Sequence, residues 1–236
     1  MKRHQSAAIE MITGLRPGRI LDAGSGGESI GRALKERGFS VFPIDLFEAP
    51  FLKETFVRAD MNRPLPFAAN AFDYVLCSET LQYLDNHALV FSEFERVLKK
   101  DGQMILSTPN VLSANSRIYF FQRGWFPHFK PFRTVDESKG WDMAVYNPIS
   151  LIEIIGRMKK NGFEMKALKA SRLKAANVPL YLFLKTLYWA GLLFERNAEK
   201  AALLRAISSK EALLGDHLIM RFARPSPRPP AGRAKC

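Results

Sequence analysis

The sequence predicts an α/β protein with a mostly parallel sheet covered by helices on both faces. Residues 20–109 alternate short apolar runs with helical patterns, which is typical of consecutive strand–helix units. The alternation resumes at 147–170, and a last apolar run at 216–223 completes it. At 236 residues the chain is long enough for one large domain with insertions, which we expect to span 1–224.

The strands predicted in the first part are short apolar runs, each closed by an acid or a turn residue. They are Arg19–Ala23, Ser40–Asp45, Thr55–Ala59, Ala71–Cys77 and Gln103–Thr108. One helix is predicted at Glu28–Arg37, which Gly38 ends, and another begins at about Asp85. Helices that alternate with strands in this way cover both faces of a parallel sheet.

Two insertions interrupt the alternation. The first, 111–146, follows the fifth strand, is rich in aromatic residues and is predicted as loop. A helix is then predicted to begin at Asn147-Pro148 and to end at Asn161-Gly162, because asparagine caps a helix, proline fits its first position and glycine ends it. The sixth strand follows at Phe163–Ala170.

The second insertion, 171–215, separates the sixth strand from the last strand, Asp216–Ala223. It carries an apolar helix at Leu180–Phe194 and a second helical stretch at Ala198–Ser208. Fifteen residues are too few for the apolar helix to span a bilayer, which takes roughly 20. We expect it either to lie in a membrane interface or to pack on the sheet or in a dimer contact. The Pro- and Arg-rich tail, 225–236, is predicted to be disordered.

The net charge is +12, and basic residues concentrate between Arg157 and Lys185 and in the tail. This asymmetry indicates either an anionic surface or substrate nearby, or a solvated basic face without a partner. The only cysteines are Cys77 and Cys236, which excludes a disulfide framework. No signal peptide is visible, so we expect a cytoplasmic protein, with peripheral contact at the inner face of the membrane if the apolar helix binds lipid.

A glycine-rich loop follows the first strand, where Ile20–Glu28 reads ILDAGSGGE. A triphosphate-binding loop would end in Gly-Lys-Ser/Thr, and here Glu28 would repel the phosphates. A dinucleotide-binding loop would carry a third glycine at Ser29. The carboxylate of Asp22 before the loop suits instead a ligand with an amino group and a positive charge.

This loop resembles the first motif of the class I S-adenosylmethionine-dependent methyltransferases, methyltransferase type 11-like, although Gly27 stands one place early. Pro64–Phe67, followed by Phe72-Asp73, is similar to the family's "LPF…FD" spacing, and Phe94–Gly102 is similar to its "RVLKPGG" helix exit. The resemblance implies a Rossmann-like seven-stranded sheet. It also implies S-adenosyl-L-methionine as cofactor and a small-molecule methyltransferase.

The resemblance implies a set of cofactor-binding residues at the strand ends. Asp45 and the adjacent Leu46 would meet the ribose, because two hydroxyl donors suit one carboxylate. Asp60 and Met61 would meet the adenine. The full set is Asp22, Gly24, Ser25, Gly26, Asp45, Leu46, Asp60, Met61 and Ser78. No His/Cys cluster has the spacing of metal ligands, so no metal is expected.

Two residues are candidates for the acceptor side. His128 lies among aromatic residues in the insertion where the family builds its acceptor pocket, and it is either a general base or a stacked structural histidine. Tyr83 follows the fourth strand and either orients an acceptor hydroxyl or covers the cofactor. We expect methyl transfer, preferably to oxygen, on a small-molecule or lipid-linked acceptor. The alternatives are a catalytically silent cofactor-binding scaffold or sensor and an RNA methyltransferase, although no RNA-binding module is visible.

Overall fold

The computed structural model describes residues 1–26, 29–47, 52–129 and 147–225. The strands are β1 (Arg19–Ala23), β2 (Ser40–Asp45), β3 (Val57–Arg58), β4 (Phe72–Ser78), β5 (Leu98–Pro109), β6 (Glu164–Ala170) and β7 (His217–Ala223). The helices are α1 (Arg3–Thr13), α2 (Ser29–Lys35), α3 (His87–Val97), α4 (Ala114–Arg123), α5 (Leu151–Lys160), α6 (Val178–Phe194), α7 (Ala198–Ile207) and α8 (Lys210–Leu214).

The seven strands form one sheet in the order β3-β2-β1-β4-β5-β7-β6, which confirms the predicted Rossmann-like, mostly parallel architecture. The first five strands pair in parallel, and β7 lies antiparallel between β5 and β6. Because β7 runs the opposite way, its first residue, His217, lies opposite Pro109, the last residue of β5. The amino end of β7 therefore joins the carboxyl ends of β1, β2, β4 and β5 at one edge of the sheet.

Alternate residues of the strands point to opposite faces of the sheet, and each face is covered by helices. Leu21 of β1 belongs to the core on the face of α3 and α5, whereas Ile20 belongs to the core on the face of α1 and α2. Phe94 of α3 and Ile12 of α1 are fully buried in these two cores. The two-sided burial is why the strands read as continuous apolar runs rather than alternating ones.

Several predicted boundaries differ from the observed ones. The third strand was predicted at Thr55–Ala59 and forms only the two-residue β3 at the sheet edge. β5 begins at Leu98 rather than at Gln103, because Leu98 already pairs with Phe72 and the Asp101-Gly102 turn is accommodated as an irregularity in that pairing. Strand pairing thus continues on both sides of Asp101-Gly102, although these two residues are typical of a turn.

The first insertion is not all loop as predicted, because it contains α4. Ser113 caps this helix by accepting the backbone N–H of Ser116, and Gly124 ends it in the left-handed conformation with φ of 76°. The helix carries three consecutive aromatic residues, Tyr119, Phe120 and Phe121. Because they point to different sides of the helix, the sequence shows no apolar stripe with helical period. Residues 130–146 of the predicted insertion lie outside the described residues.

The predicted start of the next helix was also wrong, because α5 begins after Ser150. The Ser150 hydroxyl accepts the backbone N–H of Glu153, and Asn147 instead donates from Nδ2 to the carbonyl of Leu84 at 2.7 Å. Asn147 therefore joins this segment to the loop after β4 rather than capping a helix. Two further helices, α1 and α8, were not predicted, and α1 is the one that brings the amino-terminal residues to the sheet edge.

Candidate functional site

The glycine loop after β1 is held close to two neighbouring strands. The backbone N–H groups of Gly24 and Ser25 both donate to the carbonyl of Ile44, at 2.9 and 3.1 Å. Gly24 has φ of 79°, and a Cβ placed on it would overlap the side chain of Thr80. Only glycine fits such a position without strain or displacement. Gly27 and Glu28, where the loop departs from the family pattern, lie outside the described residues.

Asp22 is a buried carboxylate whose hydrogen bonding is incomplete. Its side chain is 2% exposed, and Oδ2 has no hydrogen-bond partner among the described residues. Burial, with a smaller contribution from the charge of Asp45, raises the pKa of Asp22 to about 7. A cationic ligand beside Oδ2 would relieve both the missing hydrogen bond and the charge repulsion. The carboxylates of Asp22 and Asp45 therefore suit the ammonium and sulfonium groups of S-adenosylmethionine, and they suit a phosphate poorly.

Asp45 ends β2 next to the glycine loop. Its Oδ2 accepts the backbone N–H of Gly26 at 2.9 Å, and its Oδ1 accepts that of Phe47 at 3.1 Å. Each carboxylate oxygen can accept a second hydrogen bond, so two positions remain for a vicinal diol. Leu46, the next residue, is 47% exposed beside it. The predicted ribose contact is compatible with this geometry and stays a prediction.

The remaining predicted cofactor residues lie near the same edge but are less open. Asp60 lies at a turn and is partly exposed, and its Oδ1 accepts a hydrogen bond from the backbone N–H of Asn62. Met61 belongs to the core and is 6% exposed, so it offers little surface to a ring. Ser78 ends β4 and shares a hydrogen bond of 3.0 Å with Ser107 on β5. Their predicted contacts with adenine and cofactor stay predictions.

A cavity of about 300 Å³ opens at the same edge, beside the glycine loop. Its lining residues are Lys2, His4, Glu79, Gln82, Tyr83, Pro109, His128 and His217. The two residues predicted for the acceptor side, Tyr83 and His128, thus lie on one cavity although 45 positions separate them. Thr80, the residue after Glu79, contacts the carbonyl of Gly24 at 3.3 Å, so the cavity and the glycine loop share the end of β4.

Glu79 and His217 form the inner wall of this cavity. Oε2 of Glu79 lies 3.4 Å from Nε2 of His217, and Oε1 accepts a hydrogen bond of 3.0 Å from the Ser107 hydroxyl. Burial raises the pKa of Glu79 to about 7 and lowers the pKa of His217. The charge of Asp216, whose Oδ1 lies 3.7 Å from Nδ1 of His217, acts in the opposite direction on the histidine.

The two other histidines of the cavity, His4 and His128, flank His217. The ring of His4 lies 5.2 Å and the ring of His128 lies 5.5 Å from that of His217, centroid to centroid. Burial, followed by the charge of His217, lowers the pKa of His4 to about 4. The same two causes lower the pKa of His128, although this side chain remains exposed and solvent weakens both effects.

Sequence reasoning missed four members of this cluster: Lys2, His4, Glu79 and His217. Glu79 and His217 stand at ends of predicted strands, and an antiparallel last strand would have placed them together. Lys2 and His4 gave no signal, because they reach the cavity only through the packing of α1. Glu79 carries one further mark, a φ of 58°, which is uncommon for a residue other than glycine.

The cluster also has the geometry of a possible metal site, which residue spacing did not indicate. Ligand atoms of His4, Glu79 and His217 all lie within 4.8 Å of one another. Two histidines and a carboxylate form a donor set that transition metals accept. Lys2 lines the same cavity, however, and its positive charge, which contributes to lowering the pKa of His4 and His217, opposes a bound cation, so we do not assign these residues as metal ligands.

An apolar surface lies beyond the cavity on α4 and α6. None of the residues of α6 is buried, and its neighbour α4 contributes further exposed apolar side chains. We define the apolar surface as Ile118, Phe120, Phe121, Leu182, Phe183, Leu187, Trp189, Leu193 and Phe194, which are all at least 42% exposed. Within the part of the chain that the structure describes, no helix is both long and apolar enough to cross a membrane.

Comparisons with known proteins agree with this geometry. Residues 21–106 match the family model described as a methyltransferase domain. Over 127 residues the chain is 33% identical to a ubiquinone biosynthesis O-methyltransferase of Pseudomonas aeruginosa, covering 48% of this chain and 52% of that protein. It is 25% identical over 178 residues to a demethylmenaquinone methyltransferase of Thermotoga maritima, covering 66% of this chain and 75% of that protein. The chain thus spans about half the length of the first of these relatives.

The fold comparison extends over almost the whole chain. An S-adenosylmethionine-dependent methyltransferase from Mesorhizobium loti superposes with a TM-score of 0.58 at 16% identity, covering 94% of this chain and 98% of that one. At this identity the likeness establishes the fold, and the matched domain at 21–106 contains the loop, Asp22, Asp45 and Glu79. Residues 21–106 thus match a methyltransferase domain, and the chain has the fold of the class I S-adenosylmethionine-dependent methyltransferases.

Proposed function

We propose that this chain transfers the methyl group of S-adenosylmethionine to a hydroxyl group of a small, lipid-linked acceptor. The observation that carries the proposal is the cavity at the end of β4, which adjoins the strand-end carboxylates Asp22 and Asp45 through Thr80 and Gly24. The cofactor supplies a methyl group that the sulfonium already activates. The residues of the chain therefore need to orient two ligands, exclude water and receive a proton.

On the cofactor side, the proposed roles of the two carboxylates follow from unfilled hydrogen-bonding capacity. Asp22 Oδ2 would accept the amino group, and Asp45 would accept the ribose hydroxyls. Gly24 to Gly26 would allow close approach of the ligand to the backbone. Asp60, Met61 and Ser78 would complete the cleft.

On the acceptor side, the cavity offers polar groups at its inner wall and Tyr83 and His128 at its outer wall. Tyr83 is 40% exposed and stands at the end of the 3-10 turn Leu81–Tyr83, where it can contact an aromatic or apolar acceptor. The relatives named above carry ubiquinone and menaquinone in their names, which supports a small-molecule acceptor of this kind.

The apolar surface supports a lipid-linked acceptor. Trp189 and Phe194 are 63% and 84% exposed, and large apolar patches of this kind on a protein surface mark an interaction site. The sequence on either side of α6 is basic, with Arg172, Lys174 and Arg196 against Glu195, and Lys185 lies within the helix. An apolar face bordered by cations is complementary to an anionic membrane interface.

The apolar surface is also close to the cavity. α6 begins four residues after Lys174, whose charge lowers the pKa of both His128 and His217. Arg117 of α4 donates to the hydroxyl of Tyr188 of α6, which ties the two helices together. A protein bound through this surface would present its cavity near the membrane, as a peripheral protein at the inner face of a cytoplasmic membrane.

A transfer assay tests the proposed function. The purified full chain is incubated with S-adenosylmethionine carrying a labelled methyl group and with separate lipid, RNA and aqueous metabolite fractions of a bacterial extract. We expect the label in the lipid fraction, in a base-stable form typical of an ether. Label in RNA would support the alternative of an RNA methyltransferase, and cofactor binding without transfer to any fraction would support a silent cofactor-binding protein.

A further inference from the structure

We infer that Glu79 and His217 together receive the proton of the acceptor hydroxyl, an inference that rests on the proposed methyl transfer to oxygen. The two side chains lie 3.4 Å apart, Oε2 to Nε2, on the inner wall of the cavity. Glu79 follows β4 and His217 begins β7, and both strand ends lie at the same edge of the sheet, on either side of β5. The two residues are 138 positions apart in the chain. The pair is new relative to His128, which the sequence alone indicated as the base.

The position of Glu79 is held by contacts from several directions. The Ser107 hydroxyl donates to Oε1 at 3.0 Å, and the backbone N–H of Glu79 donates to the carbonyl of Ser107 at 3.0 Å. The carbonyl of Glu79 accepts a hydrogen bond from Nε2 of Gln82 at 2.9 Å. Glu79 keeps a φ of 58°, and strained conformations of this kind concentrate at functional sites.

His217 is oriented by its other ring nitrogen. Nδ1 lies 3.7 Å from Oδ1 of Asp216, which is itself fixed by hydrogen bonds from the Ser171 hydroxyl at 2.7 Å and the His217 backbone N–H at 2.8 Å. A proton on Nδ1 is favoured on this side, so Nε2 carries the lone pair toward Glu79 and the cavity. The arrangement places an imidazole between two carboxylates.

The proposed step moves one methyl group and one proton. As the acceptor oxygen bonds to the methyl carbon, the carbon–sulfur bond breaks and its electron pair stays on sulfur. The hydroxyl proton passes to the pair, where Nε2 of His217 and Oε2 of Glu79 share it. The charge of Asp216 stabilises the resulting cationic character of the imidazole, and the proton later leaves to solvent through the open side of the cavity.

The charges around the pair support a base that works near neutral pH. Burial raises the pKa of Glu79 to about 7 and lowers the pKa of His217, so Glu79 holds a proton more firmly, and His217 less firmly, than the same groups do in water. The titratable and charged groups that face the pair are Lys2, which precedes α1, His4 from α1, Tyr83 from the 3-10 turn, His128 from the loop after α4, Lys174 from the loop after β6, and Asp216.

His128 is less suited to this role. It stands on the outer wall, exposed to solvent, and among the residues that the structure describes no carboxylate lies within ion-pair distance of it. The charge of Asp216 favours the protonated form of His128 only weakly, and burial and the charges of His217 and Lys174 outweigh it. We place His128 in contact with the acceptor instead.

Transfer rates across pH 5.5 to 10 test the inference with the labelled cofactor and the lipid fraction. Glu79→Gln and His217→Gln should each lower the rate near pH 7.5 by about 10²–10⁴-fold and leave cofactor affinity, measured by calorimetry, within about twofold. Their rates should recover toward alkaline pH, where hydroxide from solvent can take the proton of the acceptor hydroxyl without a protein base. The matched control Glu36→Gln, an exposed carboxylate at the end of α2, should behave as wild type.

A wild-type rate and pH profile in either cavity variant would overturn the inference. A second readout does not depend on transfer: imidazole nitrogen shifts of His217 in ¹⁵N-histidine-labelled protein, assigned with His217→Gln. Wild type should show two coupled titration steps and Glu79→Gln a single one. An unchanged titration of His217 in Glu79→Gln would equally overturn the pair. If wild type binds cofactor but labels no fraction, the proposed function fails, while this titration still decides whether the pair exists.

Discussion

The proposed cofactor side and the proposed acceptor side of the sheet edge are assembled differently. The proposed cofactor side consists of Asp22, Gly24 and Asp45, which lie within 24 positions of one another, at or next to the end of a strand. The acceptor side gathers Lys2, His4, Glu79, His128 and His217 from both ends and the middle of the chain. Residues that a local motif places can be found by similarity. Residues that long-range packing brings together need the structure.

The two sides also differ in how they meet solvent. α3 buries six residues, including Phe91 and Phe94, and covers the sheet beside the cofactor cleft. α6 is at least as apolar in sequence and buries none. Large exposed apolar patches mark interaction sites, which is why we propose that α6 meets another surface. On this proposal, the acceptor side is completed by what binds there.

The largest effect is expected for a substitution of Gly24 on the proposed cofactor side. Gly24→Val should reduce cofactor affinity by more than about 100-fold, because the side chain would collide with Thr80 in a backbone conformation that disfavours Cβ. Calorimetric titration with S-adenosylhomocysteine measures this. Gly14→Val is the matched control, because a Cβ there meets no atom within 4 Å. Wild-type affinity in folded Gly24→Val would remove the loop from the cofactor site.

The second effect concerns Asp22 and pH. The folded-state pKa of Asp22 is about 7, above that of an exposed aspartate, so the folded protein holds a proton that the unfolded chain loses. Stability without cofactor should therefore fall as pH rises from about 4 to 7, by up to about 4 kcal/mol. Thermal unfolding from pH 4 to 9 measures it, and Asp22→Asn should remove the part of the dependence that is due to Asp22, while the raised pKa of Glu79 leaves a smaller dependence of the same sign. Cofactor affinity should rise over pH 6 to 8 in wild type, because a cationic ligand favours the ionised form. An equal pH dependence in Asp22→Asn would exclude this role.

A smaller loss is expected at Asp45. Asp45→Ala removes an acceptor for the ribose hydroxyls and should weaken cofactor binding by roughly 1–3 kcal/mol, or about 5- to 150-fold. The backbone N–H groups of Gly26 and Phe47 also lose their acceptor, so thermal unfolding must accompany the titration. Asp45→Asn, which keeps one carbonyl oxygen, should lie between the variant and wild type. Unchanged affinity in a folded Asp45→Ala would place the ribose elsewhere.

The smallest effect is expected for substitutions in the apolar surface next to the proposed acceptor side. Replacing Phe183 and Leu187 of the apolar surface together by Gln should reduce sedimentation with vesicles containing anionic lipid by about tenfold, because two exposed apolar side chains no longer enter the interface. Melting temperature should not change, since neither residue is buried. Thr186→Gln, an exposed polar position on the same helix, serves as control.

Salt and oligomeric state complete this test. Binding of wild type should fall as salt rises, because exposed charges are screened over about 8–10 Å at ordinary ionic strength. Wild type that stays in the supernatant at low salt would end the proposal of membrane contact. If the double variant instead converts a dimer into monomers, the apolar surface is an interface between two copies of this chain.

The sequence by itself determined the sheet, the strand ends and the acids that stand on them. Apolar period and turn residues act within a few positions, so β1, β2 and the places of Asp22 and Asp45 follow from local physics. It misplaced the start of α5, because the local signal at Asn147-Pro148 competed with an equally good cap at Ser150. It also left α4 and α1 unpredicted.

Tertiary structure decided which residues join Tyr83 and His128 on the proposed acceptor side. Glu79 meets His217 only because β7 runs antiparallel beside β5, and Lys2 and His4 arrive only because α1 packs on the sheet. Whether α6 is core or surface could not be determined from its sequence, because an apolar helix reads the same when covered by protein or by lipid. Burial is a property of what lies opposite a side chain, and that is settled by contacts between residues far apart in the chain.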